Sequence, residues 1–239
     1  MTAGTTVSSG VPYLEETVLA TSRYLEALHA LTDEQAREPS LLPGWSRAHV
    51  VTHVSRNADA LCNLLQWALT GEECPMYRSQ EDRDADIEAG AGRSAAELLR
   101  DAAYSADRFE RAARMLPADR AGRPVTRTPG SDPFPVGTVG AMRWVEVEVH
   151  RADLGTGYTA ADWPVALLEH LLERREQELA ADGRDLVLEV EELGRVEVGN
   201  GGPTVSGTAP DVVWWLLGRG EGNGLACSAG PLPDLGRWR

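Results

Sequence analysis

The hydrophobic positions of this chain change their period partway along it. From Tyr13 to Leu31, apolar residues fall at Leu14, Val18, Leu19, Leu25, Leu28 and Leu31, close to the 3.6-residue repeat of an amphipathic helix. A turn at Pro43-Gly44-Trp45-Ser46 opens a second helix, Ser46 to Thr70, which Gly71 stops. Gly71 to Gly92 is polar and acidic, includes Pro75, and reads as a connection whose charged run from Glu81 to Glu88 is solvated surface. Ser94-Ala95-Ala96-Glu97 has the form of a capping box and starts a third helix that runs to about Met115. A second long connection, rich in Pro, Gly and Arg, spans Pro117 to Gly137. The fourth helix runs from about Thr138 to Leu154, with Gly155 at its end. Helices of this length joined by two long connections predict a four-helix bundle.

Beyond Gly155 the pattern shortens. Asp162-Trp163-Pro164 predicts a helix start with proline in the first turn, and the helix runs to about Ala181. Leu186 to Glu191 and Arg195 to Val198 alternate like short strands, and Thr204 to Ser206 offers a third. Thr208 can cap a last helix, Pro210 to Leu217, with Trp214 and Trp215 as core anchors. Helix and strands in separate runs predict an α+β chain: a helical bundle over residues 1–158 and a smaller α+β domain over 159–239.

Composition narrows the function classes. The 37 acidic and 23 basic residues give a formal charge of −14, which argues against nucleic acid, whose phosphates call for basic patches. All the basic residues are Arg, none is Lys, and Ile87 is the one isoleucine, a bias that points to a GC-rich genome. Cys62, Cys74 and Cys227 are widely separated and odd in number, which predicts reduced thiols rather than a disulfide framework. The stretch from Met1 to Gly10 lacks the charged and apolar regions of a signal peptide, and no apolar run reaches the roughly 20 residues a bilayer requires. The expectation is a cytoplasmic protein with no membrane partner.

Candidate chemistry rests on the five histidines: His29, His49, His53, His150 and His170. The fourth helix carries Glu146-Val-Glu-Val-His150. A separation of four residues advances a helix by about 6 Å and turns it by only about 40°, so Glu146 and His150 share a face. Glu148 lies about 160° around the helix from each and cannot join them. A third metal ligand has to come from another helix, and His53, mid-helix among apolar and small residues, is the natural donor. His49, one turn earlier, reads as outer-shell or surface. Two imidazoles and a carboxylate suit Zn²⁺ with an open position, as in catalytic zinc sites. The same set can hold Fe(II) as a facial triad, and the spacing does not decide between the ions. No HExxH is present. Cys62 and Trp144 read as packed, Cys74 as a loop thiol, Asn57 as lining the site or a helix surface, and His29 and His170 have no partner at ligand spacing.

At these residues the chain resembles a known family. Leu42-Pro-Gly-Trp-Ser-Arg-Ala-His-Val-Val-Thr-His53 is similar to the signature of DinB/YfiT-like metal-binding bundles. Asn57 to Trp67, Thr70 to Tyr77, and Glu146 to Gly155 resemble the mycothiol-dependent maleylpyruvate isomerase family, and Gly218-Arg219-Gly220 resembles its catalytic arginine region. The resemblance spans both predicted domains and implies a sterol-carrier-like second domain. It implies zinc (or another divalent metal) held by His53, Glu146 and His150, with mycothiol, a thiol of actinomycetes, as the thiol cofactor. The implied substrate is a dicarboxylic keto acid, maleylpyruvate, converted to fumarylpyruvate in gentisate degradation. A thiolate would add to the electron-poor alkene, the resulting single bond would rotate, and expulsion of the thiolate would leave the trans product. Spacing alone favours Arg219 serving the C-terminus of the preceding helix; the resemblance reverses this and implies that it grips a substrate carboxylate or the developing enolate. A mycothiol S-transferase acting on another electrophile would use the same metal site. A non-enzymatic binding protein would have little need of the intact ligand set.

Overall fold

The structure, a computed structural model, describes residues 9–235, so most of the polar stretch from Met1 to Gly10 lies outside the described residues. Two compact units divide the chain, Met1–Thr156 and Gly157–Arg239.

Among the described residues the first unit has six α-helices: α1 Leu14–His29, α2 Asp33–Arg37, α3 Arg47–Thr70, α4 Gln80–Ala91, α5 Ala95–Arg114 and α6 Val139–Asp153. The bundle consists of α1, α3, α5 and α6, with α3 packed on both α5 and α6 and α1 completing the ring. Helix α3 is the central element. Val50, Val51, Val54, Leu61, Leu64 and Leu65 are all fully buried, so both of its sides face protein. Ser46 caps it, accepting from the His49 backbone N–H while the His49 ring accepts from the Ser46 N–H. Ser94 and Glu97 form the expected capping box on α5. A two-residue ribbon, β1 Pro124–Val125 with β2 Phe134–Pro135, pins the loop before α6.

Helix α4 is the main departure from the sequence pattern, which predicts a connection over 71–92. Ser79 caps it, accepting from the Asp82 N–H. Only Ile87 and Gly90 on it are buried. A side chain at residue 90 would place its Cβ 2.3 Å from Thr52 Cγ2, so glycine is what lets α4 lie directly on α3. The charged run is solvated on its outer face, as expected. The short α2, with its Thr32–Gln35 capping box, is also additional to the sequence reading.

The second unit comprises α7 Val165–Ala181, β3 Leu186–Val190, β4 Gly194–Val198, β5 Thr204–Gly207, α8 Ala209–Leu216 and β6 Ala226–Cys227. Its sheet runs in the order β4-β3-β5-β6, with β3 antiparallel to β4, parallel to β5, and β5 antiparallel to β6. Trp215 is buried, and Trp214 stands edge-on to Trp163 at 5.7 Å between ring centroids. Among the described residues no helix is long and apolar enough to cross a membrane.

All three cysteines are free, and Cys62 sits buried in the core beside Leu61 and Leu65. Burial pushes its thiol up to about 11. The thiolate is the reactive form, so Cys62 is expected to resist a thiol reagent at pH 8 that labels partly exposed Cys74 and Cys227. Mass spectrometry of the native protein checks this, and labelling of Cys62 at the rate of the other two would show that the α3 core opens.

Candidate metal centre

Helices α3 and α6 face each other across the bundle, and a buried arginine joins them. Arg143 of α6 is 1% exposed; it donates to the Val54 carbonyl at 2.6 Å and to Asn57 Oδ1 at 3.1 Å. Burial pulls its pKa below the ordinary value, so the two bonds from this one nitrogen work as a costly but directional clasp. Val54 follows His53, and Arg143 precedes Glu146 by about one turn. The clasp therefore fixes the backbones that carry His53 and Glu146 against each other.

His53, Glu146 and His150 converge as the spacing predicted: one ligand atom from each lies within 4.8 Å of the others, and this is the one such group among the described residues. Glu146 Oε2 sits 2.9 Å from His53 Nε2 and 3.2 Å from His150 Nε2. The imidazoles meet edge to face at 4.6 Å between centroids. Both histidines are buried, while the Glu146 side chain keeps 21% exposure, so the cluster opens on the carboxylate side.

The outer partners explain the orientation of each ring. His150 Nδ1 is 2.8 Å from Asp153 Oδ2, and Asp153 is fully buried. That is the carboxylate–histidine pairing that orients a metal-binding imidazole and raises its basicity. The sequence pattern does not single out Asp153, whose one signal is a His and an Asp three apart on one helix face. Arg83, on α4, contacts His53 Nδ1 at 3.2 Å. Its guanidinium also lies 5.9 Å over the Tyr77 ring. No local pattern marks Arg83, because only the packing of α4 brings it here. Trp45 closes another side, 5.6 Å from the His53 ring. The segment between α2 and α3 that carries it is tied to the end of α6 by Leu41 N–H to the Asp153 carbonyl at 2.8 Å.

Other candidates fall outside the cluster. His49 is committed to the α3 cap, with Nδ1 2.7 Å from Ser46 Oγ and Nε2 3.2 Å from Glu88. Trp144 is core, stacked on Tyr13 at 5.4 Å. Asn57 serves Arg143. His29 ends α1 and is exposed; His170 is half-buried on α7, in the second unit. Arg219 also lies in the second unit, just after α8, between Gly218 and Gly220, both with positive φ. Its guanidinium donates to the Leu217 carbonyl at 3.0 Å.

The donor set fits a divalent cation. Two imidazole nitrogens and a carboxylate oxygen already face one another, and one ring is seated on an outer carboxylate. Burial dominates at His53 and pushes its pKa down to about 4, despite Glu146. Burial also acts on His150, but Asp153 and Glu146 outweigh it and raise its pKa to about 8. The two facing imidazoles hold Glu146 well below the usual carboxylate range against the opposing effect of burial. A ligating imidazole must be neutral. His53 already is at neutral pH, whereas His150 must shed its proton below about pH 8. Zn²⁺ affinity should therefore fall by about tenfold per pH unit from pH 8 to 6 and level off above 8. Chelator competition across that range tests this, and a flat profile would remove His150 from the ligand set.

A helical bundle carrying a buried two-histidine, one-glutamate cluster, followed by an α+β unit, defines the class: a candidate metal-binding bundle with an appended domain. The mycothiol maleylpyruvate isomerase N-terminal domain matches residues 18–155. Two solved structures match with a TM-score of 0.87, 34% sequence identity and 95% coverage of both chains: a mycothiol-dependent maleylpyruvate isomerase and a variant of it with one histidine replaced by alanine. No match is found among curated proteins. The chain belongs to the mycothiol maleylpyruvate isomerase family.

Proposed function

We propose that this protein is a mycothiol-dependent cis–trans isomerase that converts maleylpyruvate to fumarylpyruvate, with a divalent metal ion, zinc in the first instance, held by His53, Glu146 and His150. The observation that carries the reading is the convergence of these three side chains within 4.8 Å, in a chain 34% identical over 95% of its length to an enzyme of that name. A bound cation would supply the positive charge that favours the thiolate form of mycothiol at neutral pH. The protein's own groups do the rest. Asp153 fixes the His150 ring, the Arg143 clasp fixes the helices, and Trp45 lies against the His53 ring. Arg219 is assigned to a substrate carboxylate or to the enolate charge that develops beside it; a planar fork suits both.

Three free cysteines and the thiol requirement favour a reducing compartment, and we place the protein in the cytoplasm. Its formal charge of −14 disfavours nucleic acid as a partner. The deciding assay follows maleylpyruvate absorbance with purified, zinc-loaded protein, with and without mycothiol. Thiol-dependent isomerisation is expected, and Arg219→Ala should lower kcat/KM by about 100-fold or more while leaving zinc content unchanged. Turnover only with other electrophiles, leaving a stable thioether, would replace the isomerase by an S-transferase.

A further inference from the structure

Helix α4 is pinned at both ends and lightly seated between them. Before it, Met76 is buried, and the N–H groups of Met76 and Tyr77 donate to the Thr126 and Arg127 carbonyls at 3.2 and 2.9 Å. After it, Arg93 pairs with Asp101 at 2.6 Å and Ser94 caps α5. Between these anchors only Ile87 and Gly90 are buried. The polar contacts of α4 with α3 are Arg83 to His53 and Glu88 to His49, both at 3.2 Å, and Glu88 is 80% exposed. The seat also carries a cost. Thr52 is fully buried against Gly90, and among the described residues its hydroxyl has no hydrogen-bond partner. Water would satisfy that hydroxyl, so its burial opposes the closed position. The helix brings little stability of its own. It is 12 residues long, with one large apolar side chain buried and no basic residue in its last turn.

We propose that α4 is a flap that lifts as a unit, hinged at Arg78–Ser79 and Gly92–Arg93, and that it gates the His53–Glu146–His150 cluster. What has to pass the gate, a bulky thiol and a keto acid, rests on the proposed function. His53 and His150 are 5% and 7% exposed, so neither is reachable as the helices stand, and the Glu146 side chain offers only an edge. Of the two helices that touch His53 from outside the Arg143 clasp and the core, α4 is the one that can leave cheaply. Its departure breaks two side-chain contacts and uncovers one isoleucine, while α3 and α6 stay joined by Arg143. The second hinge is free to turn, since nothing lies within 4 Å of the Cβ position of Gly92. Elements held this lightly open with free energies well below that of global unfolding, and such openings set turnover in many enzymes.

Hydrogen exchange on the zinc-loaded wild-type protein tests the flap directly: amides 84–91 should exchange about 100-fold or more faster than amides 54–65 of α3. Thr52→Cys puts a thiol under the flap, and a thiol reagent should modify it about tenfold or more faster than buried Cys62. Ile87→Ala should speed both readouts by about tenfold and leave the Cys62 rate unchanged. The gate is tested by the rate at which EDTA strips zinc. Ile87→Ala should raise that rate by about tenfold. The double variant Thr52→Cys, Gly90→Cys, whose Cβ positions lie 3.2 Å apart and need only a small shift to be bridged, should lower it by about tenfold once oxidised and recover with a phosphine reductant. Amides of α4 as slow as those of α3, or Ile87→Ala speeding Cys62 equally, would overturn the flap. A zinc-removal rate indifferent to Ile87→Ala and to the bridge would overturn the gate. If all these results hold and maleylpyruvate is not turned over, the isomerase assignment fails and the flap stands.

Discussion

Glu146→Ala and His53→Ala should each leave the purified protein without bound zinc and without thiol-dependent turnover. Protein zinc sites bind with roughly 10–16 kcal/mol shared among their ligands, so losing one ligand of three costs at least about 3 kcal/mol, or two orders of magnitude in affinity. Zinc content by plasma spectrometry after dialysis measures it directly. His49→Ala is the informative comparison, because His49 lies one turn before His53 yet spends its ring on Ser46 and Glu88. That variant should lose part of the α3 cap, about 1 kcal/mol, and keep its metal. Full zinc content in His53→Ala would remove α3 from the site and take the functional assignment with it.

What the sequence made legible, and what it hid, follows from which interactions are local. Helices α1, α3, α5 and α6 each bury a broad apolar stripe, and the Ser94–Glu97 box marks its helix end within four residues. The cluster was legible because Glu146 and His150 share a face at i, i+4 and His53 lies mid-helix. Helix α4 was hidden because it docks by absence of side chain. Its buried positions are Gly90, set against Thr52, and a single isoleucine, and its other contacts with α3 are polar, Arg83 to His53 and Glu88 to His49, so the charged pattern dominates. Arg83 was hidden with it. Arg143 reads locally as an unremarkable basic residue in a helix. Only the approach of α3 makes it a buried clasp. The three strands β3 to β5 were legible from alternation, whereas β6 is two residues paired to β5 after a Gly-rich loop and carries no period of its own.

The same reliance on close approach gives the largest stability effect. Gly140 lies in the first turn of α6, where an added Cβ would sit 2.0 Å from the Pro12 carbonyl oxygen and 2.7 Å from Val11 Cγ1. The obstacle is backbone, and Val11 is itself buried at 3% exposure, so no rotamer change relieves it. Thr17 adds to the constraint by donating to the Gly140 carbonyl at 3.0 Å, which ties α1 to the same spot. Gly140→Ala therefore has to push α6 from α1, an overpacking cost of roughly 3 kcal/mol that should lower the unfolding midpoint by roughly 6–12 °C. Glu146 and His150 ride on the displaced helix, so zinc affinity should fall along with stability. Gly92→Ala supplies the contrast: its φ is −81° and nothing lies within 4 Å of its Cβ position. There the substitution restricts only the unfolded chain and should raise stability by about 0.4–1 kcal/mol. Thermal unfolding of the two variants side by side tests the packing argument. Equal midpoints would mean that the segment at Val11–Pro12 yields, and that the α1–α6 contact does not set the position of the ligands.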